Sequence, residues 1–325
     1  MATTAAPSLQ RLPVGGQGPE DVAILGDRLV TGVADGRVLS FNPDGTDIEV
    51  VADTGGRPLG IEALPDGRLL VCDAERGLLR VNVHGGAVHP LNTAIHGQPI
   101  NLCNNAAVTA DGTIYFTDSS RRYGLDAYQS DVIERTASGR LMRRDPAGEV
   151  QVVLDQLEFA NGVALADDES FVAVAETGAA RVLRVWLTGP HAGQVEVLVD
   201  DLPGMPDNLS TGTEGRIWVA IAAPMVSLLH LVHRAPRLLR RQIGRAATAL
   251  NHPPTVPARV LAVDRDGDIV GRIEGTRRCG YRMVTGVREF NGSLYLGSIV
   301  EDAVAVLSPV PPINTDQVVT VRRHR

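Results

Sequence analysis

Glu20, Asn104, Asn161 and Asp207 are each expected in the loop just before a short β-strand. The local sequences are Pro19-Glu20-Asp21-Val22-Ala23, Cys103-Asn104-Asn105-Ala106, Ala160-Asn161-Gly162-Val163 and Pro206-Asp207-Asn208-Leu209. All four side chains offer oxygen, the ligand atom preferred by hard cations such as Ca2+. If the modules that carry them are arranged radially, the four oxygens converge on one axis and a calcium-type site follows. Two carboxylates and two neutral amides balance a divalent charge and leave positions open for water or substrate. An ester, lactone or phosphoryl oxygen could be polarised there. Two plainer readings stay open: these residues are turn formers chosen for their backbone behaviour, or an ion only ties the modules together.

The elements that must position these residues form a repeat. A polar turn followed by an apolar strand recurs at Asp66-Gly67 to Asp73, Asp111-Gly112 to Asp118, Glu214-Gly215 to Val219 and Asn291-Gly292 to Gly297, with weaker copies at Gly26 to Gly32 and Asp167 to Val174. The intervals approach the roughly 40–50 residues of a four-stranded propeller blade, except the last, which holds an insertion. Companion strands follow at Arg37–Phe41, Gly77–Val81, Gly139–Arg143, Arg181–Trp186 and Arg259–Val263. Most intervals lack the amphipathic segments that a parallel α/β sheet needs. The pattern predicts an all-β, six-bladed β-propeller over residues 19–325, preceded by an N-terminal segment, residues 1–18. Closure is expected from the segment near Gln317 to Val321, pairing with N-terminal strands. Residues 121–136 read as a polar excursion. Within about 224–245, Leu228, Leu229, Leu231, Val232, Leu238, Leu239 and Ile243 recur at helical spacing, which predicts a helix pair broken near Pro236. It is placed to cover the axial cavity or to pack on the rim.

Several collinear stretches are more specific: Gly56-Arg57-Pro58-Leu59-Gly60-Ile61, Tyr115-Phe116-Thr117-Asp118-Ser119-Ser120, Leu154 to Val163, Val174-Ala175-Glu176-Thr177, and Leu202 to Asn208. Through them the chain, from about Pro19 to Ser308, resembles the senescence-marker-protein (SMP-30)/gluconolactonase superfamily of six-bladed propellers, in its strictosidine-synthase-like branch. The resemblance implies a divalent cation, usually calcium with Mg2+, Mn2+ or Zn2+ as substitutes, held by Glu20, Asn104, Asn161 and Asp207. It also makes Asp207 the candidate nucleophile or base. Asn208 is expected to support it at the substrate, with Glu176 and Thr285 as further candidate substrate contacts. The chain departs from the pattern at three places. Asn105 stands where relatives often have Asp, which argues against a second cation. Leu102 replaces a sugar-gripping arginine, which argues against sugar lactones. Thr285 occupies the place of the condensing glutamate of strictosidine synthase, and Glu289 falls in the following strand, which argues against amine–aldehyde condensation.

The remaining candidates are weaker. Glu176 ends its strand near the same rim, where it contacts ligand or braces the wall. His230 and His233, at i and i+3, face either the cavity as acid/base groups or the helix surface. Cys103 is expected to be an inert packed thiol, and Ser119 and Ser120 lack the context of a serine-hydrolase elbow. A formal charge of −7 with no basic run before the terminal Arg322-Arg323-His324-Arg325 excludes nucleic acid as the expected partner. Three widely spaced cysteines give neither a disulfide framework nor a zinc pattern and fit a cytoplasmic protein. No signal peptide is evident, and the longest apolar stretch, Val219 to Val232, is too mixed for a membrane span. The sequence thus predicts a calcium-dependent hydrolase of small-molecule esters or lactones. The alternatives are a scaffold propeller with a structural ion and a synthase of secondary metabolism.

Overall fold

Each of the six turn-led segments becomes the second strand of a four-stranded antiparallel blade. The computed structural model describes residues 7–225, 227–250, 256–276, 278–311 and 318–323. Blade one comprises Ala23–Leu25, Arg28–Gly32, Arg37–Phe41 and Glu49–Asp53, and blade two Pro58–Ala63, Leu69–Asp73, Gly77–Val81 and Val88–Asn92. Blade three comprises Cys103–Val108, Ile114–Asp118, Gly139–Arg144 and Val150–Leu157, and blade four Ala160–Leu165, Phe171–Glu176, Arg181–Trp186 and Val195–Val199. Blade five uses Gly204–Thr211, Ile217–Pro224, Arg259–Val263 and Ile269–Gly275. The turns behave as their sequences demand: Gly67 and Gly112 take φ of 79° and 85°, a region that side-chain-bearing residues avoid.

Blade six corrects the expected boundary and the expected closure. Its inner three strands are Val284–Phe290, Ser293–Ser298 and Ala303–Ser308, and its fourth is Ser8–Pro13, antiparallel to Ala303–Ser308. Residues 8–13 therefore belong to the propeller. The strand Val318–Arg323 completes no blade; it runs parallel to both Ile269–Gly275 and Ser8–Pro13, joining blades five and six into one nine-stranded sheet. Gln317 lies outside the described residues.

Apolar side chains fill the spaces between neighbouring blades. Val30 and Val38 of blade one pack with Ile61, Val71 and Leu79 of blade two. Leu12, Val22 and Leu29 pack with Tyr295 and Val304, sealing blade six to blade one. Each such burial contributes about 1.5–3 kcal/mol, so the ring is held mainly by these seams.

Inner strands begin, and second strands end, on the same face of the ring. The long excursions leave from this face. Residues 121–136, read as merely polar, contain helix α1, Tyr128–Glu134. The insertion of blade five folds as α2, Ser227–His233, and α3, Arg237–Leu250, interrupted at Pro236 as expected. Gly244 of α3 lies against Ser130 of α1, so close that a Cβ there would sit 3.2 Å from the Ser130 Cα. Ser130 Oγ and Thr248 Oγ1 are 2.9 Å apart across the same junction. Among the described residues no helix is long and apolar enough to cross a membrane.

Candidate metal centre

The inner strands of blades two to six are each interrupted by an irregularity in register at the hub. It falls between Pro58 and Ile61, Cys103 and Ala106, Ala160 and Val163, Pro206 and Leu209, and Val284 and Gly286. A bulge re-aims side chains that a regular strand would alternate between faces. Asn104, Asn161 and Asp207 therefore sit on bulges inside strands and not in the loops ahead of them, as the sequence suggested; only Glu20 precedes its strand. The residues that follow Glu20, Leu59, Asn104, Asn161, Asp207 and Thr285 alternate between a polar side chain and glycine around the ring: Asp21, Gly60, Asn105, Gly162, Asn208 and Gly286. The glycines make room for the neighbouring backbone; a Cβ on Gly162 would lie 2.2 Å from the Leu209 nitrogen.

Hydrogen bonds fix the orientation of the hub amides. Asn104 donates its amide to Ser119 Oγ at 2.9 Å, and Asn161 donates to Thr177 Oγ1 at 3.2 Å. The two hydroxyls are in turn engaged, Ser119 with the Ala160 carbonyl at 2.6 Å and Thr177 with the Pro206 carbonyl at 2.7 Å. Asn208 donates to both oxygens of Glu20, at 3.1 and 3.2 Å. In every case the nitrogen is held and the oxygen is left over: Asn104 Oδ1, Asn161 Oδ1 and Asn208 Oδ1 are buried without a hydrogen-bond partner. Each such acceptor costs about 1–3 kcal/mol unless something meets it.

Beside these oxygens lie two acids that repel each other. Glu20 is buried, and burial, followed by the charges of Asp207 and Asp21, raises its pKa well above the ordinary range. Asp207 is pushed up to about 7, chiefly by burial, against the pull of the Asn161 amide. Protein encloses Asp207, yet part of its side chain stays accessible, because it faces the cavity under the helices. Two carboxylates and three orphaned amide oxygens form a donor set suited to a hard divalent cation. Among the described residues no trio of His, Cys, Asp or Glu is placed to hold a metal, so amide oxygens have to complete any such set.

Below this level the axis is closed by protein groups. Asp21 accepts from the backbone of Val22 at 2.8 Å and Ile61 at 3.2 Å and from Asn105 at 3.4 Å. Arg288 donates to the Val22 carbonyl at 3.0 Å and pairs with Glu62. Asn105 accepts from the Val163 backbone at 2.8 Å, so both ends of its amide are engaged.

Above the hub lies a cavity of about 300 Å3. Asn161, Thr177 and Asp207 supply polar groups; Phe159, Met205, Ala222 and Met283 form apolar walls, with Tyr128 and Val132 of α1, Leu229 and Val232 of α2, and Ile243 and Ala247 of α3. A more open groove of about 630 Å3, between Pro13 and Asp302, contains none of the hub residues.

None of the three candidate ligand contacts, Thr285, Glu176 and Asn208, lines the cavity. Thr285 donates to the Glu20 carbonyl at 2.7 Å, fixing that backbone. Glu176 accepts from the Glu158 backbone at 2.8 Å and from Arg181 at 2.6 Å, bracing the wall. Asn208 joins the hub through Glu20 and lies outside the cavity lining. Of the histidines, His233 pairs its Nε2 with the Val132 carbonyl at 3.0 Å, and the His230 side chain lies outside the described residues. Cys103 is buried, with its pKa raised by burial and by neighbouring Cys72. Ser120 is bonded to Asp131, so neither serine has the surroundings of a nucleophile. Glu289 binds Trp218 Nε1 at 2.7 Å, in another part of the fold. Tyr128 was missed because only the packing of α1 onto α3 brings it over the hub.

Six blades with acids and amides at the hub and a covered axial cavity define a six-bladed β-propeller with a roofed axial site. A family model described as strictosidine synthase matches residues 104–190, and one described as strictosidine synthase-like, N-terminal, matches residues 7–41. Adipocyte plasma membrane-associated protein of Mus musculus is 37% identical over 315 residues, covering 90% of this chain and 75% of that protein. Among solved structures, a gluconolactonase of Xanthomonas campestris superimposes with a TM-score of 0.67 at 19% identity, covering 94% of this chain and 90% of that one. The calcium-binding protein regucalcin of Agrobacterium tumefaciens gives a TM-score of 0.65 at 14% identity over 97% of both chains. The chain belongs to the strictosidine-synthase-like family of these propellers.

Proposed function

We propose that this protein is a divalent-cation-dependent hydrolase, with calcium the favoured ion, acting on esters or lactones that carry an apolar acyl or aryl group. The observation that carries the reading is the set of buried, unpartnered oxygens of Asn104, Asn161 and Asn208 beside Glu20 and Asp207. Glu20, Asn104, Asn161 and Asp207, joined by Asn208, would hold the cation. A cation so held supplies charge balance and polarises a substrate carbonyl.

The chain's own groups do the rest. Asp207 is the hub carboxylate that lines the cavity, and it accepts the proton of the water that adds to the carbonyl carbon. That proton passes to the leaving oxygen as the carbon–oxygen bond breaks. The apolar walls bind the acyl or aryl portion and exclude bulk water. The likeness to a gluconolactonase supports hydrolysis as the reaction class. Condensation has less support, because Thr285 is a neutral group already bonded to Glu20.

The test is hydrolysis of aryl acetates and a panel of lactones, with and without chelator, by the wild type, Asp207→Asn and Glu20→Gln. Calcium-dependent turnover lost in both variants supports the proposal. A chelator that lowers the melting temperature while no substrate is turned over identifies a structural ion and overturns it.

A further inference from the structure

The helices that roof the cavity have an outer side that the reaction does not use. Leu231 is 64% exposed, Leu238 78% and Leu239 50%. Among the described residues, the three most exposed large hydrophobic side chains are Leu238, Leu250 and Leu231, all on α2 or α3; Leu239 is also on α3, and the rest are valines and one isoleucine elsewhere on the chain. The helix α3 is already satisfied on its inner side, where Ile243 and Ala247 line the cavity and Gly244 meets α1. Leu238 projects from the opposite side, so α3 is apolar on two faces. Clustered exposed leucines of this kind mark an interaction surface.

Charge narrows the choice of partner. Between Ser227 and Leu250 there are five arginines and neither Asp nor Glu, in a chain whose net charge is −7. Arg234, Arg237, Arg241 and Arg245 are exposed and Arg240 is half-buried. None of the ion pairs among the described residues involves them, although arginines elsewhere on the chain are widely paired. A second copy docking face to face would bring two such unneutralised sets together. An anionic bilayer fits both features: leucines enter the headgroup–acyl boundary while guanidiniums meet the phosphates.

We propose that the outer face of α2 and α3 is a docking surface for anionic lipid bilayers. The cavity roof then faces the membrane. The surface is independent of the reaction proposed above, and its test needs no substrate.

The whole protein is sedimented with vesicles of phosphatidylcholine alone and of phosphatidylcholine mixed with phosphatidylglycerol. Partition at least about tenfold stronger onto the anionic vesicles is expected, falling by about fivefold for each arginine neutralised. Arg241→Glu with Arg245→Glu tests the charge, Leu231→Glu with Leu238→Glu tests insertion, and circular dichroism confirms that both remain folded. A tryptophan placed by Leu238→Trp reads insertion directly, through a blue shift with anionic vesicles only. Equal binding to both vesicle types, undiminished binding by either double variant, or an unshifted tryptophan overturns the proposal. So does binding to polyglutamate as tight as to vesicles, or a dimer that Leu238→Glu dissolves in a protein that binds no vesicle.

Discussion

Asn208 of blade five donates its side-chain amide to both carboxylate oxygens of Glu20, which leads into blade one, at 3.1 and 3.2 Å. Blade six lies between those two blades, so the contact spans the hub and does not join neighbours. It orients the glutamate and leaves Asn208 Oδ1 buried and unpartnered. Groups that orient a ligand are typically worth a factor of about 10–100 in metal affinity. Asn208→Ala is therefore expected to weaken calcium binding by about that factor in calorimetric titration. Affinity equal to that of the wild type would remove Asn208 from the hub.

Charge repulsion at the hub gives a prediction of unusual sign. Burial and the Asp207 charge raise the proton affinity of Glu20, and burial and the Asp21 charge raise that of Asp207, so in chelator-treated protein at neutral pH one neutral group should be better than two acids. Asp207→Asn is expected to melt a few degrees higher than the wild type in chelator and to lose the upward shift that calcium gives the wild type. Saturating calcium at about a hundred times its dissociation constant would add about 2.7 kcal/mol to the wild type. A variant that melts lower in chelator and still responds to calcium would contradict this arrangement.

The contact between α1 and α2 is expected to weaken on acidification. His233 Nε2 pairs with the Val132 carbonyl at 3.0 Å, and burial, aided by the nearby Arg135 and Arg240 charges, holds its pKa below the usual 6.5. A histidine depressed in the folded state contributes stability that is present above the unfolded value and lost as pH falls through the folded one. Hydrogen exchange of residues 128–134 and 227–233 should accelerate below pH 6.5 in the wild type and respond less in His233→Gln. Identical pH profiles for the two proteins would show that His233 is not the group involved.

The two terminal strands should differ in importance. Ser8–Pro13 supplies a whole edge of blade six and part of its seam with blade one, whereas Val318–Arg323 bridges the outer edges of two complete blades. Deleting residues 7–13 is expected to abolish soluble folding. Truncation after Pro311 should leave a folded protein with a lower melting temperature. The reverse order, read by expression and calorimetry, would refute this view of closure.

Much of the ring was legible because its signals are local. Asp66-Gly67 and Asp111-Gly112 carry their turn geometry in two residues, and the alternation that follows reports a strand without reference to any partner. The hub residues Glu20, Asn104, Asn161 and Asp207 were legible as oxygen-bearing residues in register. What escaped depends on distant partners. Ser8–Pro13 alternates weakly and includes a proline, and its partner lies at the far end of the chain. Helix α1 has seven residues, too few to be stable alone, and needs Gly244 and Thr248 of α3. The bulges at the hub and the bond from Thr285 to the Glu20 carbonyl likewise arise only once the ring closes.

The central claim is that oxygens from four blades share one divalent cation, and diffraction from calcium-soaked crystals tests it most directly. The expected result is a single anomalous peak on the axis, about 2.3–2.6 Å from oxygens of Glu20, Asn104, Asn161 and Asp207. A hub that stays without a peak at saturating calcium, or a calcium bound elsewhere with those oxygens unmoved, would contradict it.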